Sequence, residues 1–154
     1  MNLDSIDAKL LEVLQENARV SISELSKRIN LSLSAVSERL KKLEQSGIIE
    51  QYTTVLSPKE MNKNLLALIQ LKVDSSLNEK ELLKLVDNSD DILECFNVAG
   101  SFDYILKIAT KNTASLSALT KEIKLLKGVR STETNILLEK IKLKHSVSPI
   151  EKRP

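Results

Sequence analysis

The sequence is poor in aromatic residues, cysteine and histidine. Aromatic side chains make up 3% of the 154 residues and none is tryptophan, which excludes a stacking platform for single-stranded nucleic acid. The single cysteine, Cys95, excludes an internal disulfide and a multi-thiolate metal site, and it is typical of a reducing compartment. The single histidine, His145, excludes a multi-histidine metal centre.

Long apolar runs and a strong net charge are missing as well. No uninterrupted apolar stretch approaches the ~18–20 residues that cross a bilayer, and the N-terminus carries acids where a secretory signal has cations. We therefore predict a soluble, cytoplasmic protein without a membrane partner. The 23 basic and 21 acidic residues leave a formal net charge of +2, so any nucleic-acid site must be local.

Motifs of common enzymes and cofactor sites are absent. The chain has no P-loop, dinucleotide fingerprint, zinc motif or nucleophile elbow. We interpret Cys95 as a buried structural thiol and His145 as solvated. The acids Asp87, Asp90 and Asp91 match no calcium loop and are interpreted as a solvated helix end. The sequence predicts no catalytic residue, metal or cofactor, and an enzyme has little support.

Three helices are predicted in the N-terminal part of the chain. Asp4–Asn17 carries apolar residues at helical spacing, with Asp4 as cap. Ser21 and Glu24 form a capping box that begins a short second helix, Ile22–Ile29. Asn30 ends that helix, because asparagine tolerates the left-handed conformation beyond a helix C-terminus.

A third helix follows after a very short turn. It begins with Ser32 or Ser34 as cap and runs to Gln45, before Gly47. Two helices joined in this way cross steeply and expose the outer face of the second, as in a helix-turn-helix. That face has the hydroxyl and charged side chains that contact base edges and phosphates, with Arg39 at its border. Its members are Ser34, Ser37, Glu38, Lys41 and Lys42.

A generic three-helix bundle with a solvated polar face is the alternative interpretation of this segment. The short turn and the small hydroxyls favour the helix-turn-helix, and so does the second domain that follows. Residues 1–54 nevertheless hold seven basic and eight acidic side chains. Binding by one copy is therefore expected to be weak, and DNA binding is predicted for an assembly that presents several copies.

The rest of the chain alternates between strand and helix patterns. The order strand, helix, strand, strand, helix, strand predicts an α+β, ferredoxin-like βαββαβ domain, and the uncovered face of its sheet predicts a homodimer. A linking strand at Ile48–Leu56 precedes it. The predicted elements are a strand from Leu65, a helix at Asn78–Val86, strands at Ile92–Ala99 and Tyr104–Thr110, a helix at Thr113–Leu126 and a long strand at Val129–Leu143.

Read together, the two halves resemble the leucine-responsive regulator (Lrp)/AsnC family of transcription factors. The resemblance covers roughly Leu3 to Leu143, and the order and spacing of its stretches are specific. They are LDSIDAKLLEVLQENAR, ELSKRINLSLSAVSERLKKLEQSGIIEQY, VAGSFDYILK and GVRSTETNILLEKIK.

The resemblance implies a regulator of transcription that binds double-stranded DNA. It implies a winged or three-helix helix-turn-helix domain at 1–50, a linking strand and hinge at 51–63, a ferredoxin-like effector-binding and oligomerisation domain at 64–144, and a tail at 145–154. It also implies dimers, often assembled into octamers, and a small effector that is usually an amino acid. The DNA-reading residues would be Ser32, Ser34, Ser37, Glu38, Arg39, Lys41 and Lys42.

The effector site implied by the resemblance lies in the loop from Val98 to Asp103. Its residues would be Val98, Gly100, Ser101 and Asp103, with Thr134 and Ile136 from a neighbouring subunit. Glycine leaves room for a ligand, and the Asp103 carboxylate suits an ammonium group; the alternative is an ordinary hairpin glycine and turn aspartate. Asn135 departs from the bulkier residues of leucine-sensing members. A metabolite sensor whose N-terminal domain serves assembly only is the alternative function.

Overall fold

Three helices form the N-terminal part of the computed structural model, which describes residues 3–149. They are α1 (Ser5–Glu16), α2 (Ile22–Ile29) and α3 (Leu33–Gln45), as the sequence predicted. Their core consists of the buried side chains Leu10, Leu25, Val36 and Leu43. Of the described residues, 3–55 form one compact unit with 142–149, and Leu56–Ile141 forms the second unit.

The caps of these helices follow local side-chain chemistry. Asp4 and Asp7 form a reciprocal capping box at the start of α1. Ser21 caps α2, with its Oγ accepting a hydrogen bond from the Glu24 N–H. The capping box predicted for α2 is wrong in its second half, because the Glu24 carboxylate accepts from Arg28 Nε instead. Asn30 adopts the predicted left-handed conformation, with φ of 59°.

No strand lies between α3 and Leu65, where the first strand begins, so the linking strand predicted at Ile48–Leu56 is wrong. Ile48 and Ile49 pack against the core of the N-terminal helices. Residues 50–57 are exposed. A strand needs a neighbouring strand to accept and donate backbone hydrogen bonds, and the chain itself offers this segment none.

The second unit holds four strands and two helices. They are β1 (Leu65–Val73), α4 (Glu79–Asn88), β2 (Ile92–Asn97), β3 (Tyr104–Thr110), α5 (Thr113–Leu125) and β4 (Val129–Ile136). The strands form one antiparallel sheet in the order β2-β3-β1-β4. The predicted ferredoxin-like βαββαβ order is confirmed.

Both helices cover the same face of the sheet. Alternate residues of β1 and β3 pack there against α4 and α5, which is the period of two expected of half-buried strands. The core of this unit contains Ala67, Ile69, Leu71, Leu82, Leu106, Ile108, Leu116, Leu119 and Ile123. On α4, Leu82 is buried and Leu85 packs inward, whereas Leu83 is 53% exposed.

The last strand ends seven residues before the predicted Leu143. In the register of β4 with β1, Ile136 lies opposite Ala67, and Leu137 N–H donates to Leu66 O at 2.9 Å. Because β1 begins at Leu65, β4 has no partner beyond this point. The alternating apolar pattern continues to Leu143, but a pattern without a neighbouring strand forms no ladder.

None of the described residues, 3–149, covers the face of the sheet opposite the helices. It carries the alternate residues of the strands, among them the apolar Leu66, Leu68, Phe96 and Ile105 and the ion pair of Glu94 with Lys107. We call this set the open sheet face. Phe96 is 50% exposed, and Leu66, Leu68 and Ile105 are partly exposed. Across residues 3–149, no helix is long and apolar enough to span a membrane.

Candidate nucleic-acid interface and effector loop

The start of α3 is built from serine hydroxyls. Ser32 caps the helix by accepting from Ala35 N–H at 3.2 Å, and its Oγ lies 3.1 Å from Ser34 Oγ. Ser37 Oγ donates to the Leu33 carbonyl at 2.9 Å. All three serines are exposed. Each hydroxyl therefore keeps hydrogen-bonding capacity on the outer face of the helix.

The charged residues of α3 differ in whether they have partners. Lys42 Nζ lies 2.8 Å from Glu38 Oε1, one turn away, and this hydrogen bond lowers the pKa of Glu38. Lys41 is exposed and makes no ion pair with any residue that the structure describes. Lys41 is thus the cation of this face whose ammonium group is free to meet a phosphate.

Arg39 has an intramolecular role that the sequence did not predict. Its Nη1 lies 2.6 Å from Asp7 Oδ1 and 2.7 Å from Asp4 Oδ2. The hydrogen bond to Asp7, followed by that to Asp4, raises the pKa of the Arg39 guanidinium. The structure therefore turns the Arg39 guanidinium toward α1.

The loop between β2 and β3 is closed by its two end residues. Val98 N–H donates to the Asp103 carbonyl at 2.9 Å, and Asp103 N–H donates to the Leu71 carbonyl at 2.8 Å. The Asp103 carboxylate accepts from Val73 N–H at 2.8 Å and lies 3.4 Å from Lys72 Nζ. The bond from Val73 N–H, with the nearby Lys72, lowers the pKa of Asp103. The Asp103 carboxylate therefore already accepts a hydrogen bond that holds the loop against the end of β1.

Gly100 lies at the exposed tip of the same loop. Its φ is outside the positive region, and a Cβ added there would meet no atom within 4 Å. The fold of one chain therefore does not require glycine at this position. Ser101 is exposed and Val98 is partly buried.

Thr134 and Ile136 lie on β4, at the opposite edge of the sheet. β1 and β3 separate β4 from β2 and its loop, and both residues are exposed. One chain therefore does not bring them together with Gly100. A site that uses all of these residues needs a second chain.

Asp91 corrects the interpretation of the acids after α4 as solvated. One of its oxygens pairs with Lys63 Nζ, and the other accepts from Thr110 Oγ1 at 2.5 Å. Burial opposes ionisation of Asp91, but these two partners outweigh burial and lower its pKa. This cluster ties the segment before β1 to the sheet. Its members lie far apart in the sequence, so spacing gave no signal of it.

The other two singled-out residues agree with their interpretations. Cys95 packs against the core of the second unit, and burial raises the pKa of its thiol. His145 is exposed. Among the described residues, no group of three acidic, histidine or cysteine side chains is arranged to hold a metal ion.

Two family models match this chain, one in each half of the sequence. Residues 3–50 match a winged helix-turn-helix DNA-binding domain, and residues 66–147 match the Lrp/AsnC ligand-binding domain. The chain belongs to the Lrp/AsnC family. The predicted resemblance is confirmed, and so is its fold.

Full-length relatives support the same assignment. The HTH-type transcriptional regulator FL11 of Pyrococcus furiosus is 36% identical over 89% of this chain and 90% of its own length. The leucine-responsive regulatory protein of Escherichia coli K12 is 34% identical over 92% and 88%. A Neisseria meningitidis transcriptional regulator, solved as a complex with L-methionine, superimposes with a TM-score of 0.88 at 34% identity, covering 95% and 96%.

Membership of the Lrp/AsnC family establishes the class of function of this chain. This Lrp/AsnC chain is a DNA-binding transcriptional regulator with a ligand-binding domain, and it is not an enzyme. The family models place DNA binding in the unit that contains α3 and ligand binding in the unit that contains the β2–β3 loop.

Proposed function

We propose that this Lrp/AsnC chain binds specific DNA sites as a homo-oligomer and that an amino acid modulates the binding. The free ammonium group of Lys41 beside the exposed hydroxyls of Ser34 and Ser37 carries the DNA part of the proposal. α3 lies in the major groove, where Lys41 contacts a phosphate and Ser37 contacts a base edge. Glu38 and Lys42, which pair with each other, flank this contact.

Two alanine variants test the roles on α3. Lys41→Ala is expected to weaken binding to all duplexes and to reduce the dependence of log K on log salt concentration by about one, because one phosphate contact is lost. Ser37→Ala is expected to change sequence preference, by about 1–3 kcal/mol at one base pair. Anisotropy titrations at several salt concentrations, on a selected duplex and on its single-base variants, measure both. An equal loss on every duplex for Ser37→Ala would contradict base reading.

Gly100 carries the effector part of the proposal. The fold leaves open space where its side chain would be, and an amino acid fits there if a neighbouring subunit closes the site with Thr134 and Ile136. The L-methionine complex of the Neisseria relative supports an amino acid as the ligand class. Because Val73 N–H already occupies the Asp103 carboxylate, Asp103 shapes the loop and shares its remaining acceptor capacity with the ammonium group. Val98 and Ser101 line the loop.

A thermal-shift screen of the twenty amino acids tests the effector. A ligand at 100 times its Kd is expected to stabilise the protein by about 2.7 kcal/mol. Gly100→Val is expected to abolish the shift, since its side chain would fill the space proposed for the ligand, while the fold of each chain accommodates it. Light scattering on each hit measures whether the ligand changes the assembly. A full shift in Gly100→Val would contradict this site.

The open sheet face supports the oligomer. The apolar side chains of this face, Leu66, Leu68, Phe96 and Ile105, are stabilised when a second copy removes them from water. A dimer presents two α3 helices, which compensates for the near-neutral charge of each N-terminal domain, and further dimers assemble into larger species such as an octamer.

A further inference from the structure

A charged cluster joins α1 to α3 behind the proposed DNA-reading face. We call Arg39, Asp4 and Asp7 the α1–α3 cluster. The Asp7 side chain is 4% exposed and that of Arg39 is 30% exposed. Because a buried carboxylate without a counter-charge is strongly unfavourable, Asp7 requires the guanidinium where it lies. Asp7 thereby holds Arg39, and Arg39 holds α3.

Hydrogen bonds from backbone N–H groups at the start of α1 hold both carboxylates in place, independently of Arg39. Asp4 Oδ1 accepts from Ile6 N–H at 2.8 Å and from Asp7 N–H at 2.7 Å. Asp7 Oδ2 accepts from Asp4 N–H at 3.2 Å. The reciprocal capping box thus restricts the rotamers of both carboxylates. Arg39 Nη1 makes both contacts, so two fixed acceptors hold the guanidinium and restrain the rotation of α3 in addition to its apolar packing.

We propose that the α1–α3 cluster sets the rotation of α3 for base reading, and that Arg39 is a positioning residue instead of a phosphate contact. The proposal rests on the proposed reading function of α3. Ser37 and Lys41 lie two residues to either side of Arg39, so they turn with it. Side chains project about 6 Å from a helix axis, so a rotation of about 10° displaces them by about 1 Å. Hydrogen bonds to base edges do not tolerate that displacement.

Removal of the Asp7 charge distinguishes a positioning role of the cluster from a general electrostatic effect on DNA binding. The N-terminal 54 residues hold more acids than bases, so loss of one carboxylate alone favours binding to a polyanion. Asp7→Asn keeps the side-chain shape and removes the charge. Glu12→Gln is the matched control, since Glu12 is an exposed α1 acid with no ion pair among the described residues. Positioning predicts that Asp7→Asn weakens specific binding, whereas Glu12→Gln leaves it unchanged or slightly tighter.

The experiment compares full-length variants on two duplexes by fluorescence anisotropy. One duplex is selected from a random library by the wild-type protein, and the other is a scrambled duplex of the same composition. Asp7→Asn and Arg39→Ala are expected to lower affinity for the selected duplex by about two- to thirtyfold. Affinity for the scrambled duplex and the salt slope are expected to stay near wild type, because phosphate contacts remain.

Two results would overturn the proposal. In the first, Arg39→Ala weakens both duplexes and lowers the salt slope by about one, as loss of a phosphate contact does. In the second, Asp7→Asn tightens binding as Glu12→Gln does. If circular dichroism shows that Asp7→Asn has lost helix, Asp4→Asn decides in its place, and an unchanged specificity ratio for Asp4→Asn would then overturn the proposal. Asp4→Asn retains a capping oxygen and removes one ion pair, so it is expected to give a smaller loss of specificity in a folded protein.

Lys41→Ala in the same assay distinguishes a failure of the proposed DNA contacts of α3 from a failure of the role proposed for the α1–α3 cluster. An unchanged salt slope for Lys41→Ala would remove the phosphate contact from the proposed function. The specificity ratios of Asp7→Asn and Arg39→Ala would still decide the role of the cluster.

Discussion

The singled-out residues divide according to how far along the chain their partners lie. Asp4, Ser21, Asn30 and Ser32 act on their own helix ends, so they were predictable from neighbouring residues. Arg39 was not, because its partners lie 32 and 35 positions away. One signal was available: Asp7 falls on the apolar side of α1 with Leu10 and Leu14. An acidic side chain on the core-facing side of a helix indicates that a basic side chain elsewhere in the chain is paired with it.

Asp74 provides a pH test at the residue scale. Bonds from the hydroxyl and N–H of Ser76, and from Arg130 Nε, lower the pKa of Asp74 to about 2 from its ordinary 3.8. A carboxylate whose pKa is lower in the folded state stabilises that state above its unfolded pKa, and the contribution is lost as pH falls. We expect the stability difference between wild type and Asp74→Asn to be complete above about pH 4 and to vanish near pH 2.

Thermal unfolding between pH 2 and pH 6 measures this difference. Asp87→Asn is the control, since Asp87 is exposed and has no ion pair among residues 3–149. A stability difference for Asp74→Asn that does not change with pH would contradict the assigned ion pair and hydrogen bonds.

At the scale of elements, periodicity predicted every helix and the four strands of the sheet. The errors occur where a strand lacks a neighbour. Ile48–Leu56 and the segment after Ile136 both have strand-like composition, but the chain supplies no partner for either. Strand propensity describes a side chain that fits a pleated surface, and only tertiary pairing creates that surface. The loop at Gly100 was predictable as a hairpin, whereas its distance from Thr134 required the strand order.

Gly128 shows how closely two loops of the second unit meet. It has a φ of 94°, and an added Cβ would lie 2.3 Å from Leu77 N. Its carbonyl accepts from Asp74 N–H at 2.9 Å. The turn before β4 therefore rests on the turn after β1, and glycine is required both by the backbone conformation and by the contact.

At the scale of the whole molecule, the open sheet face predicts how copies associate. Leu68 lies on β1, a central strand, between Lys107 and Asn135 in the register. Leu68→Arg places a charge in the apolar surface that a second copy would cover, and an unpaired buried charge is costly. We expect this variant to have the mass of one chain in light scattering, while the wild type has at least twice that mass.

Leu125→Arg is the matched control for this variant. Leu125 is 84% exposed on α5, and both helices lie on the other face of the sheet. It is expected to keep the wild-type mass. Identical masses for Leu68→Arg and the wild type would show that copies associate through a different surface.

The two hydrophobic cores have no residue in common. A substitution within one core therefore removes no packing contact from the other core. A substitution in one core therefore does not require a compensating substitution in the other core. A lineage with this architecture can acquire a new metabolic signal while it keeps its promoters, or new promoters while it keeps its signal.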